Sequence, residues 1–227
     1  MSELVSITTP TFPGREDSLF DRAIPSVYNL DWPNVEMVIV SDRNPDLDFA
    51  SRLQDLAEGW PARKDKKRSL RWAFINETWR NPLSEASIGA IPWHTACLMA
   101  LGEFVGHLGD DDEYLPDHVT RHVQAMKEQE ALFSVSQVEF RAGNVPQFLV
   151  GSPDMGHGHL DAIGVMCHIS ALQVVSWTAN GENAADYRLV RDWKTAGLKG
   201  VFVGEGHTAV HHEGWLTGNT GRPDRPQ

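Results

Sequence analysis

Cysteine is scarce in this sequence of 227 residues, and long apolar runs are missing. The two cysteines, Cys97 and Cys167, do not form a CxxC motif, which favours reduced thiols over a disulfide framework. No apolar run reaches the roughly 18 residues of a membrane span, and the N-terminus lacks the basic and apolar regions of a signal peptide. We therefore expect a cytoplasmic protein without a membrane span.

Positive charge is also in short supply. The chain has 20 Lys and Arg residues against 31 Asp and Glu residues, which gives a formal net charge of −11 at pH 7. This balance disfavours anionic membranes and duplex DNA as partners, because both attract basic proteins. A basic run at 63–71 leaves a local phosphate contact open as an alternative to a solvated connector. The ten histidines contain no HExxH motif and no zinc spacing.

The sequence does contain a regular alternation of strand and helix patterns. Apolar runs at Leu4 to Thr9, Val35 to Val40 and Leu70 to Ile75 are separated by apolar residues at helical spacing. Such alternation predicts one α/β domain with right-handed βαβ units on a mainly parallel sheet. Pro25 predicts a kink or a break in the first helix. Sheets of this kind bind ligands beyond the carboxyl ends of their strands.

Acidic side chains follow the apolar run that starts at Phe104. Asp110, Asp111 and Asp112 come directly after this run, and Pro116 then precedes a new helical pattern. Three adjacent carboxylates are found either on a solvated turn or around a hard divalent cation. The cluster alone does not decide between these two structures.

Four segments, taken in order, are similar to glycosyltransferase family 2. They are Thr8-Thr9-Pro10-Thr11, a strand ending at Asp42, the stretch Ala-Leu-Gly-Glu-Phe-Val at 100–105, and the stretch Gly-Asp-Asp-Asp-Glu-Tyr-Leu-Pro at 109–116. The resemblance spans about Leu4 to Trp215 and implies a GT-A fold, a nucleotide-sugar donor and a divalent metal.

The same resemblance predicts the organisation of the chain. Residues 1–216 would form one domain, with a nucleotide-binding half at about 1–116 and an acceptor half at about 117–216. Residues 217–227 have little to bury, and we expect them to be a mobile tail.

The resemblance also implies a role for each polar group at the sheet edge. Asp42 would accept hydrogen bonds from the nucleoside, although Asp before Asn44-Pro45 also suits a turn cap. The acidic cluster is similar to the family's DxD motif, in which Mn²⁺ or Mg²⁺ neutralises the diphosphate. Gly109 departs from the commonest pattern, because that place is often acidic. The predicted donor-binding residues are Thr9, Pro10, Thr11, Asp42, Trp93, Asp110 and Asp111, and the predicted metal ligands are Asp111, Asp112 and His212.

A second acidic position lies far downstream. The stretch 181–189 resembles the family's Glu-Asp motif before a helix, with Asp186 in the Asp place and Ala185 in the Glu place. The resemblance implies that Asp186 is the general base that deprotonates the acceptor hydroxyl, and Glu182 could compensate for the missing Glu. The alternative is a helix N-cap, a position that favours Asp.

Histidine and tryptophan supply the remaining candidates. Some GT-A enzymes bring a C-terminal His to the metal, and either His212 or His211 fits that place. Trp93 and His94 stand where many members of the family carry an Arg-Asn pair near the donor. This difference predicts either an altered donor pocket or packing of Trp93 in the core. The segment 156–159 lies where the acceptor side is expected.

The predicted function is a metal-dependent, inverting glycosyltransferase that uses a nucleotide diphosphate sugar, with UDP as the favoured nucleotide. The acceptor stays open among a glycan, a protein side chain, a metabolite and a modified nucleobase. One alternative is a nucleotidyltransferase, although 8–14 holds only Gly14 where such enzymes need a glycine-rich loop. Another is a catalytically degenerate GT-A domain that binds a glycan or a protein partner.

Overall fold

The computed structural model describes residues 2–42, 47–60, 66–75, 90–177 and 185–212. The strands in these ranges are β1 (Val5–Thr11), β2 (Asn34–Asp42), β3 (Lys67–Ile75), β4 (Phe104–His107), β5 (Glu113–Tyr114), β6 (Phe133–Ala142), β7 (Val145–Val150), β8 (Val165–His168) and β9 (Gly200–His212). The α-helices are α1 (Glu16–Ser18), α2 (Ile24–Asn29), α3 (Leu47–Gly59), α4 (Ala90–Met99), α5 (His118–Glu128), α6 (Ile169–Val174) and α7 (Ala185–Thr195). No helix within these ranges is long and apolar enough to cross a membrane. The predicted tail at 217–227 lies outside the described residues.

All the described strands belong to one sheet with the order β3-β2-β1-β4-β8-β6-β9-β5, and β7 pairs with β6. The pairings among β1, β2, β3 and β4 are parallel, as is the pairing of β6 with β9. The strands β5, β7 and β8 join in antiparallel orientation. The predicted α/β fold with its mainly parallel sheet is therefore confirmed, and the strands β5, β7 and β8 that join it in antiparallel orientation all follow β4 in the chain.

The first helical segment changes geometry before its proline. Helix α1 runs directly into a π-helical segment, Leu19–Ala23, and α2 starts with Pro25 in its first turn. Because proline has no N–H, the backbone hydrogen-bond register changes most cheaply at this point. The helical stretch thus changes its type next to Pro25 but does not break there, because α2 continues through the proline to Asn29.

The second half has more strand than the sequence pattern indicated. Residues 145–150 form β7, which pairs with β6 in a hairpin that the sequence analysis did not predict. The short apolar run Val201 to Val203 indicates a last strand followed by a glycine-rich tail, but β9 continues to His212. Because β9 pairs with both β6 and β5, cross-strand hydrogen bonds hold its His-rich end in an extended conformation. Residues 204–206 bulge out of the pairing with β6, where Glu205 has φ 65° and Gly206 has φ 90°.

Buried histidines tie α5 to this long strand. His118 lies 2.8 Å from the hydroxyl of Thr208 in β9, and His122 lies 2.8 Å from the hydroxyl of Ser134 in β6. Burial lowers the pKa of both imidazoles, so they are neutral at pH 7. The contact between His118 and Thr208 holds β9 in place three residues before His211.

The described part of the basic run serves the fold. Lys66 Nζ and Arg68 Nη2 both donate to the carbonyl oxygen of Leu30, at 2.9 Å and 2.6 Å. Arg71 Nε lies 3.3 Å from Oε2 of the buried Glu36. The rest of the run, 63–65, lies outside the described residues.

Candidate active site

The carboxyl ends of β1, β2 and β4 meet at one edge of the sheet. Thr11, the last residue of β1, is paired with Ser41, so Asp42 lies one residue beyond it. Thr11 Oγ1 donates a 2.8 Å hydrogen bond to Asp110 Oδ2. The structure thus brings together three of the predicted donor-binding residues, Thr11, Asp42 and Asp110.

Two polar atoms at this edge are buried without a partner among the described residues. They are Thr9 Oγ1 and Asp42 Oδ1. Since a buried polar atom without a hydrogen bond costs free energy, such atoms are typical of a site that binds a polar ligand. Although the proline- and glycine-containing sequence at 9–14 is typical of a loop, the segment Thr9 to Thr11 forms the end of β1, and Pro10 pairs there with Val40. Parallel pairing with β2 extends the strand to this point.

The acidic cluster is a buried turn rather than a solvated one. Asp110 is 5% exposed and Asp112 is 3% exposed. Burial raises the pKa of both carboxyl groups, and the neighbouring Asp111 raises it further. Carboxylates in such a place need compensation from a cation or from hydrogen-bond donors. This excludes the simple solvated turn that the sequence left open.

Gly109 makes room for Asp112. A Cβ atom on Gly109 would lie 2.3 Å from Oδ2 of Asp112, which no real side chain tolerates. The Asp112 carboxylate therefore folds back over the turn into the space that a side chain at 109 would fill. The glycine in this otherwise acidic motif has a steric reason.

Arg15 supplies positive charge to the cluster. Its Nη2 atom lies 2.7 Å from Asp111 Oδ2, and its Nε atom lies 3.4 Å from Asp110 Oδ1. Arg22 Nη1 also donates to the carbonyl oxygen of Asp111, at 3.3 Å. Among the described residues, no three His, Cys, Asp or Glu side chains are arranged as a metal site. A guanidinium group instead bridges two of the carboxylates.

The two histidines at the end of β9 point to different partners. His211 Nδ1 lies 3.3 Å from Asp161 Oδ2 and 3.7 Å from Asp112 Oδ2. Burial alone would lower the pKa of His211, but Asp112 and Asp161 outweigh it and raise the pKa. His212 donates its backbone N–H to Asp112 Oδ1 at 3.0 Å, while its Nε2 atom lies 3.1 Å from Glu113 Oε1.

Alternation along the strand explains this difference. Successive side chains of a strand point to opposite faces of the sheet, so only one of two adjacent histidines can face the acidic cluster. The structure gives that place to His211. The side chain of His212, the first choice from sequence, contacts Glu113 instead.

Asp186 lies in the first turn of α7, after the first residue of the helix, and not at the N-cap. Its Oδ1 atom accepts a 2.8 Å hydrogen bond from the backbone N–H of Tyr187. Burial and the nearby charge of Asp161 raise the pKa of Asp186 to about 6, against the smaller effects of that hydrogen bond and of His157. Glu182, the suggested substitute for the missing acid, lies outside the described residues.

Asp161 links the two acidic regions. It caps the short helix Ala162–Gly164 by accepting a hydrogen bond from the N–H of Ile163, and its other oxygen faces His211. Its charge also acts on Asp186. A chain of contacts therefore leads from Asp112 through His211 to Asp161.

Trp93 packs beside β1 and against the hydrophobic core. Its Nε1 donates to the carbonyl oxygen of Thr8 at 3.2 Å, and its ring stacks on Trp177 at a centroid distance of 4.8 Å. These contacts support the core-packing alternative for Trp93.

On the predicted acceptor side, the ring of His157 contacts the ring of Tyr187 edge-on, with the centroids 5.2 Å apart. The loop that contains His157 therefore lies beside the residue that follows Asp186.

Sequence reasoning missed several residues of this site, namely Arg15, Glu113 and Asp161. Arg15 is a single arginine in a loop, and Asp161 is a single aspartate before a short apolar run, so no spacing marks either of them. Glu113 was quoted within the acidic motif but received no role.

The sequence was compared with protein families and with curated proteins. The sequence model of glycosyl transferase family 2 matches residues 6–157, which is more than half of the chain. No curated protein sequence matches the chain significantly.

Several solved structures are similar in fold. S. aureus TarS 1–349 aligns with a TM-score of 0.64 and 15% identity over 93% of this chain and 60% of that one. TarS 1–349 in complex with UDP-GlcNAc gives a TM-score of 0.65 at 13% identity, over 93% and 59% of the two chains. Mannosyltransferase PcManGT from Pyrobaculum calidifontis, in complex with GDP-Man and Mn²⁺, gives 0.62 at 16% identity, over 93% and 57%.

The chain thus spans about three fifths of the length of these structures. At such identities the structural likeness concerns the fold alone, whereas the family match concerns the sequence itself. The chain belongs to glycosyl transferase family 2 and has the GT-A fold.

Proposed function

We propose that this chain transfers a sugar, with inversion, from a nucleotide diphosphate sugar to an acceptor hydroxyl. The observation that carries the proposal is the buried acidic turn Asp110 to Asp112, which His211 connects to Asp161, together with a second acidic residue, Asp186, whose pKa the charge of Asp161 raises. One region suits a diphosphate and its counter-ion, and the other suits a base. Binding of the diphosphate and deprotonation of the acceptor would thus use different residues.

The nucleoside would bind at the ends of β1 and β2. The unpartnered atoms Asp42 Oδ1 and Thr9 Oγ1 offer an acceptor and a hydroxyl there, while Thr11 holds Asp110 in place. A uracil N–H or a ribose hydroxyl would satisfy Asp42. The structures of TarS with UDP and with UDP-GlcNAc support a UDP-linked donor, whereas PcManGT was solved with GDP-Man.

The donor set fits a hard divalent cation. Asp111 and Asp112 would supply carboxylate oxygens, and His211 is the imidazole that lies beside Asp112. Mg²⁺ and Mn²⁺ are commonly held by one or two carboxylates together with substrate phosphates, so a preformed cage of three protein ligands is unnecessary. When bound, such a cation supplies charge neutralisation to the leaving diphosphate.

Asp186 would act as the general base. Its carboxylate takes the proton of the acceptor hydroxyl as the acceptor oxygen bonds to the anomeric carbon. The bond between that carbon and the diphosphate oxygen breaks, and the nucleoside diphosphate leaves. Attack from the face opposite the leaving group inverts the anomeric configuration. The raised pKa of Asp186 makes it a stronger base than an exposed aspartate while leaving it mostly ionised at pH 7.

A panel of nucleotide sugars tests the proposal. We expect metal-dependent release of a nucleoside diphosphate from at least one of UDP-glucose, UDP-GlcNAc and GDP-mannose, measured by mass spectrometry of the released nucleotide. Release of pyrophosphate from a nucleoside triphosphate would instead indicate nucleotidyl transfer. Metal-dependent UDP binding in calorimetry without any turnover would indicate a degenerate domain. Either of these results contradicts the proposal.

Arg15 is expected to compete with the cation for the acidic cluster. In Arg15→Gln, the Mn²⁺ dissociation constant without donor should fall by roughly tenfold, because a unit charge close to two carboxylates is removed. Mn²⁺ binding is read by electron paramagnetic resonance of the free ion.

Arg22→Gln is the matched control for Arg15→Gln, since Arg22 contacts only the Asp111 backbone carbonyl within the cluster. Its effect on Mn²⁺ binding should be clearly smaller. Equal Mn²⁺ affinity in Arg15→Gln and in the unsubstituted protein would show that the Arg15 guanidinium does not compete with the cation for the acidic cluster.

A further inference from the structure

The guanidinium group of Arg15 lies beside the acidic turn with most of its hydrogen-bonding capacity unused. Among the described residues, its one hydrogen bond runs from Nη2 to Asp111 Oδ2, at 2.7 Å. Its Nε atom is buried and lies 3.4 Å from Asp110 Oδ1, but it makes no hydrogen bond there. A guanidinium carries several N–H donors in a planar fork. Arg15 therefore offers unused donors at the edge of the sheet where the donor substrate is proposed to bind.

The backbone of Arg15 is held by the turn that follows β1. The N–H of Arg15 donates to the carbonyl oxygen of Phe12 at 3.2 Å, and the carbonyl oxygen of Arg15 accepts from the N–H of Leu19 at 3.0 Å. Gly14 permits this turn, because its φ of 91° is costly for any other residue. The side chain of Arg15 is nevertheless 27% exposed, so an incoming anion can reach it.

The two carboxylates beside Arg15 belong to different parts of the proposed donor site. Asp110 accepts a hydrogen bond from Thr11 at the end of β1, where the nucleoside is proposed to bind. Asp111 belongs to the proposed cation site. In a nucleotide diphosphate sugar, the diphosphate is the covalent link between the nucleoside and the sugar. A guanidinium that spans Asp110 and Asp111 therefore lies where the diphosphate would pass.

We propose that Arg15 binds the diphosphate of the donor and stabilises it as the leaving group. This inference rests on the proposed function, which supplies a nucleotide diphosphate sugar as the donor. A guanidinium recognises phosphate oxygens through two parallel hydrogen bonds. When the bond between the anomeric carbon and the diphosphate oxygen breaks, its electron pair passes to that oxygen. Arg15 donates hydrogen bonds to the resulting negative charge and transfers no proton.

The charge of the acidic turn gives a second reason for this role. Adjacent carboxylates repel an incoming diphosphate, so positive charge is needed beside them. Arg15 contacts the carboxylates of Asp110 and Asp111, whereas Arg22 reaches only the backbone carbonyl oxygen of Asp111. Once a cation neutralises Asp111, that carboxylate holds the guanidinium less strongly. Arg15 is then free to turn from carboxylate oxygens to phosphate oxygens.

Calorimetry with inorganic pyrophosphate and the full chain, at saturating Mn²⁺, tests the inference. Arg15→Gln should bind pyrophosphate about 10- to 100-fold more weakly, which is the effect of a lost hydrogen bond between charged groups. Binding of uridine, which has no diphosphate, should not change. Arg15→Lys should recover part of the pyrophosphate affinity, because lysine keeps the charge but lacks the planar fork.

The signs of two effects separate this role from a structural one. Arg15→Gln should bind pyrophosphate more weakly but Mn²⁺ more tightly, since a competing charge is removed from the carboxylates. Weaker binding of both would indicate a damaged acidic turn and would overturn the inference. Unchanged pyrophosphate binding in Arg15→Gln would also overturn it, as would a lack of pyrophosphate binding to the unsubstituted protein.

Arg52→Gln is the matched control, because it removes the same charge from a neighbouring helix. The guanidinium of Arg52 lies over the ring of Phe20, 3.9 Å from its centroid, rather than beside the acidic turn. Pyrophosphate and Mn²⁺ binding should therefore be unchanged. Equal losses of pyrophosphate affinity in Arg52→Gln and Arg15→Gln would show an effect of overall charge and would contradict a specific contact.

Failure of this inference is distinguishable from failure of the proposed function. Donor hydrolysis by the unsubstituted protein tests the transferase, whereas pyrophosphate binding requires no turnover. Donor hydrolysis together with unaltered pyrophosphate binding in Arg15→Gln overturns only the role of Arg15. Absence of donor hydrolysis, with pyrophosphate binding that still depends on Arg15, overturns only the transferase.

Discussion

Replacing Asp186 with asparagine is expected to lower the transferase kcat/KM by about 10²- to 10⁴-fold, the range that a positioned general base contributes. The amide keeps the shape of the side chain and can still accept the hydrogen bond from Tyr187 N–H. Donor and metal affinities, measured by calorimetry with UDP and Mn²⁺, should change little, because Asp186 has no role in holding either group. The loss should therefore appear in turnover alone.

The pH profile gives this prediction a second readout. Burial and Asp161 raise the pKa of Asp186 to about 6, and a base works only in its deprotonated form. In the unsubstituted protein, kcat/KM should rise with pH up to about 6 and level off above it. The Asp186→Asn variant should lack this rise.

Asp192→Asn is a matched control on the same helix, because Asp192 is an exposed carboxylate paired with Arg191. It should leave kcat/KM and the profile unchanged. Full activity in Asp186→Asn would exclude Asp186 as the base.

The second large effect is expected for Asp112→Asn. This variant should lose metal-dependent activity by on the order of a thousandfold, since a divalent cation supplies several kcal/mol of charge stabilisation in such reactions. Mn²⁺ binding, read by electron paramagnetic resonance, should weaken in parallel. Stability should not fall, because the amide oxygen still accepts the N–H of His212 and a buried carboxylate is removed.

Asp117→Asn is the control for this variant. Asp117 follows the acidic motif in the sequence, but its side chain is half-exposed and pairs with Arg121 at the start of α5. Its substitution should leave both activity and Mn²⁺ binding within twofold of the unsubstituted values, by the usual small effect of surface ion pairs. Retention of full activity by Asp112→Asn at low metal concentration would contradict the proposed metal site.

The sequence by itself determined the parallel first half and the position of its polar edge. The apolar runs that became β1, β2 and β3 are local patterns, and their alternation with helices allows few arrangements. Because parallel strands end on the same side, Thr11, Asp42 and Asp110 had to meet. The order of these segments also indicated the family, and the family match confirms it.

Only the tertiary structure decided what surrounds the acidic turn. The guanidinium of Arg15 and the carboxylate of Asp161 come from distant parts of the chain, and neither carries a spacing signal. Their proximity depends on how loops pack on the finished sheet. The burial of Asp112 over Gly109 is likewise a property of the folded turn.

The choice between His211 and His212 shows the same limit most directly. The two residues are chemically identical neighbours, so sequence offers no reason to prefer one. The pairing of β9 with β6 and β5 fixes the register of the strand, and that register turns His211 toward Asp112 and His212 toward Glu113. A shift of one residue would exchange them, because side chains alternate between the faces of a sheet. Register depends on contacts between distant segments, and for that reason the structure alone could decide it.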